Sequence, residues 1–267
     1  MTINLAIAGA GGRMGRMLLE AAAMQPAFAI SGALEHAASP LLNKDAGDLS
    51  ANARGILIQS GLHSGLANAN VLIDFTRPEG TLQHVAACRT LGINMVIGTT
   101  GFTAVQKQEI ETAAQDIAIV FAANMSLGMN VLTHLVEMAS KALHEQYDIE
   151  IIEAHHKMKV DAPSGTALML GESAAAAMGK SLDEIGVFER HGVTGERKPG
   201  SIGFSAIRGG DIIGDHTVMF AGTGERIEIS HKSSSRSTYA QGALRAAAFL
   251  QGRKSGLFDM RDVLGLN

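Results

Sequence analysis

The sequence predicts an α/β protein: a Rossmann-type, doubly wound parallel sheet plus a central α+β domain with a mixed sheet. Three observations predict it. Short apolar runs alternate with helix-like segments through residue 125, the pattern of a parallel sheet covered on both faces. The first run ends in a glycine turn that opens a helix, and an acid closes the second run. From Ile202 onward, short runs follow one another with tight glycine turns between them, which requires antiparallel or mixed pairing.

The whole chain sets bounds. Its 267 residues allow one large domain or two modest ones with a real core. Twenty-two basic residues against 26 acidic ones give a net charge of −4, so no nucleic-acid partner is expected. The one cysteine, Cys88, sits in the helical, apolar HVAACRTL, where a buried core thiol is expected rather than a nucleophile. MTINLAIAGAGG has no charged leader region, and no apolar run is long enough to span a bilayer. The expectation is a cytoplasmic protein with no membrane partner. Thirty-one glycines, two tyrosines and no tryptophan suit tightly turned α/β layers rather than a base-stacking surface.

Taken in order, Ile3–Ala8 is a strand fit for burial on both faces. Gly9, Gly11, Gly12 and Gly15 follow, then a helix over Arg13–Met24 with Met14, Met17, Leu18 and Ala21 at helical spacing. Strand, glycine turn and helix are the context of a dinucleotide fingerprint, although the glycines at 9, 12 and 15 depart from G-x-G-x-x-G. The strand Phe28–Leu34 ends in Glu35, placed to accept from ribose hydroxyls. The next residue, His36, binds a 2′-phosphate less surely than arginine does, so NADH fits better and NADPH stays open. Pro40–Asn70 reads as loops around one strand, Gly55–Gln59. Val71–Phe75 is a buried strand, and Pro78 starts a helix that Gly92 ends. Asn94–Ile97 is a strand running into Gly98-Thr99-Thr100-Gly101, where parallel sheets bind ligands. Thr103–Ala114 is a helix, and the strand Ile117–Phe121 leads to Ala122, Ala123, Asn124 and Met125.

The pattern then changes. Ser126–Leu143 is a long helix with Leu127, Val131, Leu135 and Met138 on one face. Tyr147–Ile152 is a strand, and Thr166–Met178 a helix. Residues 180–200 read as a long surface loop. Ile202–Ile207, Ile212–Phe220 and Glu225–Ser230 are strands, and Ser237–Leu250 is an amphipathic helix fit to return to the first domain. A hinge is expected near residues 126 and 236, where the architecture changes.

Between the strand and helix of the central region lies EAHHKMKVDAPSGTA, Glu153–Ala167. It delivers His155, His156, Lys157 and Lys159 from a strand end toward a helix start, whose free N–H groups and dipole favour an anion. Histidine and lysine are also common proton donors. Asp161 can orient Lys159 or cap the following helix, and the cap is the favoured reading.

GAGGRMG, DFTRPEGT, VIGTTGF, FAANMS, EAHHKMKVDAPSGTA and HKSSSR…SGLFDMRDVL together resemble the 4-hydroxy-tetrahydrodipicolinate (dihydrodipicolinate) reductase family over essentially the whole chain. The resemblance implies an NADH- or NADPH-dependent reduction of a cyclic imine dicarboxylate in lysine and diaminopimelate synthesis. It implies a dinucleotide-binding domain from residues 1–126 and 237–267, a substrate and oligomerisation domain from 127–236, and a homotetramer. It places the pyrophosphate on Gly9, Ala10, Gly11, Gly12, Arg13, Met14 and Gly15, and the adenosine ribose on Glu35, with His36 beside it. Gly98, Thr99, Thr100, Ala122, Ala123, Asn124 and Met125 line the nicotinamide end. His155 and Lys159 match the acid/base pair, with Lys159 the main donor, and His156, Gly165 and Thr166 match the carboxylate binders. No metal is implied. Two other classes stay open: another small-substrate dehydrogenase, for instance of aspartate, and a silent NAD-sensing protein on the same fold. A zinc site at His155 and His156 has little support, because adjacent histidines on an extended chain point to opposite sides.

Overall fold

The structure, a computed structural model, describes residues 2–235 and 237–266. The chain divides into two compact units, Met1–Leu127 with Ser237–Asn267, and Gly128–Arg236. The first boundary falls one residue later than the sequence reading places it. Residue 236, one of the two expected hinge positions, lies outside the described residues.

The first unit runs β1 (Ile3–Ala8), α1 (Arg13–Ala23), β2 (Phe28–Leu34), two short 3-10 turns, β3 (Ile58–Gln59), α2 (Leu62–Leu66), β4 (Val71–Asp74), α3 (Pro78–Leu91), β5 (Asn94–Ile97), α4 (Ala104–Ala113) and β6 (Ala118–Phe121). The second holds α5 (Leu127–Leu143, starting at the boundary), β7 (Asp148–His155), α6 (Gly165–Ala177), α7 (Leu182–Ile185), β8 (Gly186–Val187), β9 (Ile202–Arg208), β10 (Gly214–Ala221) and β11 (Arg226–Ser233). The chain then completes the first unit with α8 (Ser237–Phe249), β12 (Gly256–Phe258) and α9 (Met260–Leu264).

The first sheet is seven-stranded in the order β12-β6-β5-β4-β1-β2-β3, and every pairing is parallel. Alternate residues of its strands enter two different cores. Leu5, Ile7, Ile73 and Val96 pack with α1 and α8 residues such as Leu18 and Leu244. Ala6, Ala8, Leu72 and Met95 pack with Val85, Cys88 and Ile110 of α3 and α4. Helices on both faces explain why these strands read as unbroken apolar runs. The strand order reverses between β1 and β4, so the ligand crevice of such a sheet lies beyond their carboxyl ends. α2, β12 and α9 are absent from the sequence reading, being too short for a periodicity.

The second sheet has the order β11-β10-β7-β9-β8, with β7 antiparallel to β10 and parallel to β9. Ile149, Ile151, Phe204, Val218 and Phe220 form its core with Leu132 and Val136 of α5 and Leu170 and Ala174 of α6. The predicted apolar face of α5 is not the buried one. Val131, Leu135 and Met138 are exposed, while Met129, Leu132, Thr133 and Val136 face inward. The segment 180–200 is not all loop, since it holds α7 and β8. Arg190 and Arg197 tether its remainder to Glu150 of β7, Arg190 through two 2.8 Å hydrogen bonds.

Candidate active site

In the first unit the predicted cofactor residues gather at the carboxyl ends of β1, β2, β5 and β6. The turn after β1 is made of backbone. Gly9 has φ +65, which a side chain disfavours, and Gly12 N–H donates to Gly9 O at 2.9 Å. A Cβ on Gly15 would lie 2.1 Å from Gly9 O and 2.7 Å from Ala10 Cα, so only glycine lets α1 start this close to the strand. Ala10 is buried, Met14 is half-buried, and Arg13 is exposed at the first helical position. The N-cap, Gly12, offers no side-chain acceptor and the first turn has no acid, which leaves the leading N–H groups of α1 for an anion. Glu35 closes the turn from β2, with Oε1 accepting from Gly11 N at 2.9 Å. His36 is exposed, with Nε2 4.0 Å from Glu35 Oε2. This cradle fits a pyrophosphate and a ribose.

Gly98–Thr100 follow β5. Thr99 is buried and Thr100 exposed. Ala122 N donates to Ile97 O at 3.2 Å, which ties the segment after β6 to the end of β5. Ala123 is exposed, Met125 is buried, and Asn124 Oδ1 accepts from Ser126 N.

In the second unit the site grows out of the strand alternation. One face of β7 reads Ile149, Ile151, Glu153, His155, all buried, so the same row that builds the core ends in two ionisable groups. Register sets their neighbours: His155 lies between Arg208 of β9 and Gly214 of β10, and Glu153 lies beside His216. Gly214 makes room for the ring, since a Cβ there would stand 3.1 Å from His155 Nε2. Glu153 is 1% exposed and collects four bonds. Arg208 donates to both its oxygens at 2.7 Å, His155 Nδ1 lies 2.7 Å from Oε2, and Ser164 N donates to Oε1 at 3.1 Å. Burial pushes this carboxyl up, but the bonds from Arg208, His155 and Ser164 outweigh it and hold it below the usual carboxylate range. A proton on His155 Nδ1 directed at Glu153 leaves Nε2 for acid/base work.

His216 backs this pair. Its ring meets His155 edge-on at 5.1 Å, and its Nε2 lies 3.0 Å from Ser164 Oγ. Burial first, then repulsion from His155, brings His216 down to about 4.

Ser164 caps α6, with its hydroxyl accepting from Ala167 N at 3.2 Å. Asp161 is therefore not the cap. Its carboxylate pairs with Lys159 Nζ at 2.9 Å, and its carbonyl accepts from Arg208. Chiefly the bond from Lys159 holds the Asp161 carboxyl below its usual value. Gly165 and Thr166 begin the helix, and their N–H groups have no carbonyl one turn back. His156 follows the strand end, and Lys159 N returns to His156 O at 3.1 Å in a turn. His156 Nδ1 is buried without a partner among the described residues.

His155, Lys159, Gly165 and Thr166 thus share one structural cluster through Glu153, Arg208, Ser164 and Asp161. The sequence reading missed Glu153, Arg208 and His216. Extending the alternation of Ile149 and Ile151 by two residues reaches Glu153, and extending that of Phe220 and Val218 back by two reaches His216; Arg208 carries no local signal.

Residues 3–125 match the family model described as dihydrodipicolinate reductase, N-terminus, and residues 128–264 match dihydrodipicolinate reductase, C-terminus. The 4-hydroxy-tetrahydrodipicolinate reductase of Nitrosospira multiformis is 60% identical over 99% of this chain and 98% of its own length. That of Burkholderia cenocepacia is 61% identical over 99% of this chain and 100% of its own. A solved structure, the dipicolinate-bound dihydrodipicolinate reductase from Paenisporosarcina sp. TG-14, aligns with a TM-score of 0.76 at 24% identity, covering 98% of this chain and 99% of that one. It bears out the fold.

Proposed function

The chain belongs to the dihydrodipicolinate reductase family, and from that premise we propose how its residues carry the family reaction. The enzyme uses a nicotinamide dinucleotide to reduce 4-hydroxy-tetrahydrodipicolinate to tetrahydrodipicolinate, a step of lysine and diaminopimelate biosynthesis. The bound nicotinamide supplies a hydride; the balanced reaction also takes up one proton and releases one water. Lys159 delivers the proton and His155 orients or assists it. His156 and the N–H groups of Gly165 and Thr166 receive the substrate carboxylates.

The single observation that carries this division of roles is the Glu153 carboxylate. It holds the His155 ring on one oxygen and the Ser164 N–H on the other. One buried group therefore fixes both the acid/base side chain and the start of the anion-binding helix, the preorganisation that positioned catalysis needs.

For the cofactor we propose NADH over NADPH. Glu35 faces the turn where the ribose sits, and a 2′-phosphate there would meet a carboxylate. The proposal also includes a cytoplasmic location and a homotetramer; the exposed Val131, Leu135 and Met138 on α5 of the second unit support association. Light scattering of the purified protein tests the assembly.

The deciding experiment is a coupled assay in which pyruvate and aspartate semialdehyde are condensed by the upstream synthase and nicotinamide absorbance is followed. Oxidation of NADH with a higher kcat/KM than NADPH is expected. Oxidation of neither, by protein that binds the cofactor, would overturn the reading.

A further inference from the structure

The first unit contains a buried carboxylate outside the proposed chemistry. Asp74, at the carboxyl end of β4, is fully buried and satisfied on both oxygens. Its Oδ1 accepts from Thr76 N at 2.9 Å, Thr76 Oγ1 at 2.7 Å and Thr99 Oγ1 at 3.3 Å. Its Oδ2 lies 2.6 Å from Nδ1 of His84 on α3. Thr99 Oγ1 in turn accepts from Thr76 N and from Thr81 Oγ1, each at 2.9 Å. The hydroxyls of Thr81 and Thr99 form a relay of donors that ends on Asp74. Such chains polarise one another and hold a single geometry when every member is satisfied.

The network joins two loops. Thr76 belongs to the connection from β4 to α3, and Thr99 to the turn after β5. The loops also meet through packing. A Cβ on Gly98 would fall 2.1 Å from the Phe75 ring, and the Thr76 methyl stands 3.1 Å from where a Cβ of Gly9 would be. Asp74 therefore fixes the Thr76 connection and the Gly98–Thr100 turn relative to one another, at the point where the sheet order reverses.

We infer that Asp74, with Thr99 and His84, is a positioning element for the nicotinamide end of the cofactor: it sets the Gly98–Thr100 turn without touching the reacting atoms. The inference rests on the proposed role of that turn. A hydride moves over a short, directed path, and small misplacements slow such transfers strongly. Losing the clamp loosens the nicotinamide while the adenosine end, held by the α1 start and Glu35, is retained.

The test compares NADH with ADP-ribose, which lacks the nicotinamide. Asp74→Asn and the shape-conserving Thr99→Val are expected to weaken NADH binding about tenfold with ADP-ribose binding unchanged. The primary deuterium isotope effect from C4-deuterated NADH should rise as the hydride step slows. Thr99→Ser, which keeps the hydroxyl, should restore both. Equal losses for NADH and ADP-ribose, or a lowered Tm with NADH affinity and isotope effect unchanged, overturn the inference. If Asp74→Asn does not fold, Thr99→Val and Thr99→Ser decide it alone. Thr100→Ala separates the two levels, because its exposed side chain is outside the network. A Thr100 effect on NADH but not ADP-ribose, with none from Thr99→Val, overturns the clamp and leaves the turn's role standing. No effect from Thr100→Ala or from Thr99→Val removes the turn's role, and the inference with it.

Discussion

In the unit made from both chain ends, the proposed cofactor cradle consists of backbone. Gly9, Gly12 and Gly15 shape it, and unclaimed N–H groups of α1 fill it. In the central unit, the proposed acid/base site is built of side chains locked by others: His155 and Arg208 on Glu153, Lys159 on Asp161. A backbone cradle holds its shape across protonation states. A side-chain site does so only while every partner is present and correctly charged, since an unpaired buried charge is costly. Side-chain changes should therefore damage the central unit more than the first, and pH should act mainly there.

The largest expected effect is Lys159→Ala. Loss of a positioned proton donor should lower kcat by about 10³-fold, while NADH affinity, a property of the other unit, is unchanged. Stopped-flow turnover and cofactor fluorescence measure the two. A drop in NADH affinity of the same size would break the comparison.

Next is the acid limb of stability. His216 titrates near 4 in the folded chain, lowered by burial and by His155, with Glu153, His231 and Lys159 also acting on it. The unfolded chain titrates near the ordinary histidine value of about 6.5. Between those values the unfolded state binds a proton that the folded state refuses. Stability is full above the upper value and falls by about 3 kcal/mol as pH drops toward the lower one. His231, also lowered by burial, adds in the same direction. The low-titrating carboxylates Glu150 and Glu153 lose their contributions as pH falls from the ordinary carboxylate value through their lower folded ones. Thermal unfolding from pH ~4 to ~7 should show this slope in the wild type and a flatter one in His216→Phe. Equal slopes would exclude His216 as the cause.

The same contrast explains what could be read from the sequence. β1, the glycine turn and α1 are visible because backbone constraints leave glycines at fixed places, and a doubly covered strand leaves an unbroken apolar run. The cation block is visible as composition, and His155 with Lys159 stands out in it. Arg208 is fifty-five residues from Glu153 and reaches it only through the β7–β9 register, which no local pattern encodes. Asp161 misleads because an acid before a helix reads as a cap; the nearer Ser164 takes that role, leaving the acid for Lys159. On α5 the apolar residues form two faces, and periodicity alone does not say which one the core takes.

Glu153→Gln sharpens the comparison at intermediate size. The amide keeps the volume but has one acceptor oxygen, and its NH₂ group opposes the Arg208 guanidinium. His155 and the α6 start would lose their shared anchor, and kcat should fall about thirtyfold. Binding of NADH and ADP-ribose should not change. A larger fall in NADH affinity than in kcat would show that the two sites are not independently built.

The smallest effect expected lies in the first unit, where one side chain overlays the backbone cradle. Glu35 sits against Gly11 N and is nearly covered, whereas His36 beside it is 71% exposed. An imidazole offers a 2′-phosphate single ring nitrogens, while arginine offers a permanent, forked charge. His36→Arg should therefore raise kcat/KM for NADPH about five- to tenfold and leave NADH nearly unchanged. The gain should shrink as salt rises, because the new contact is solvent-exposed. A His36→Arg enzyme with an unaltered NADPH:NADH ratio would mean that Glu35 alone sets the preference. The double change Glu35→Gln with His36→Arg would then be needed to move it, and cofactor choice would belong to the half-buried carboxylate rather than to the surface cation.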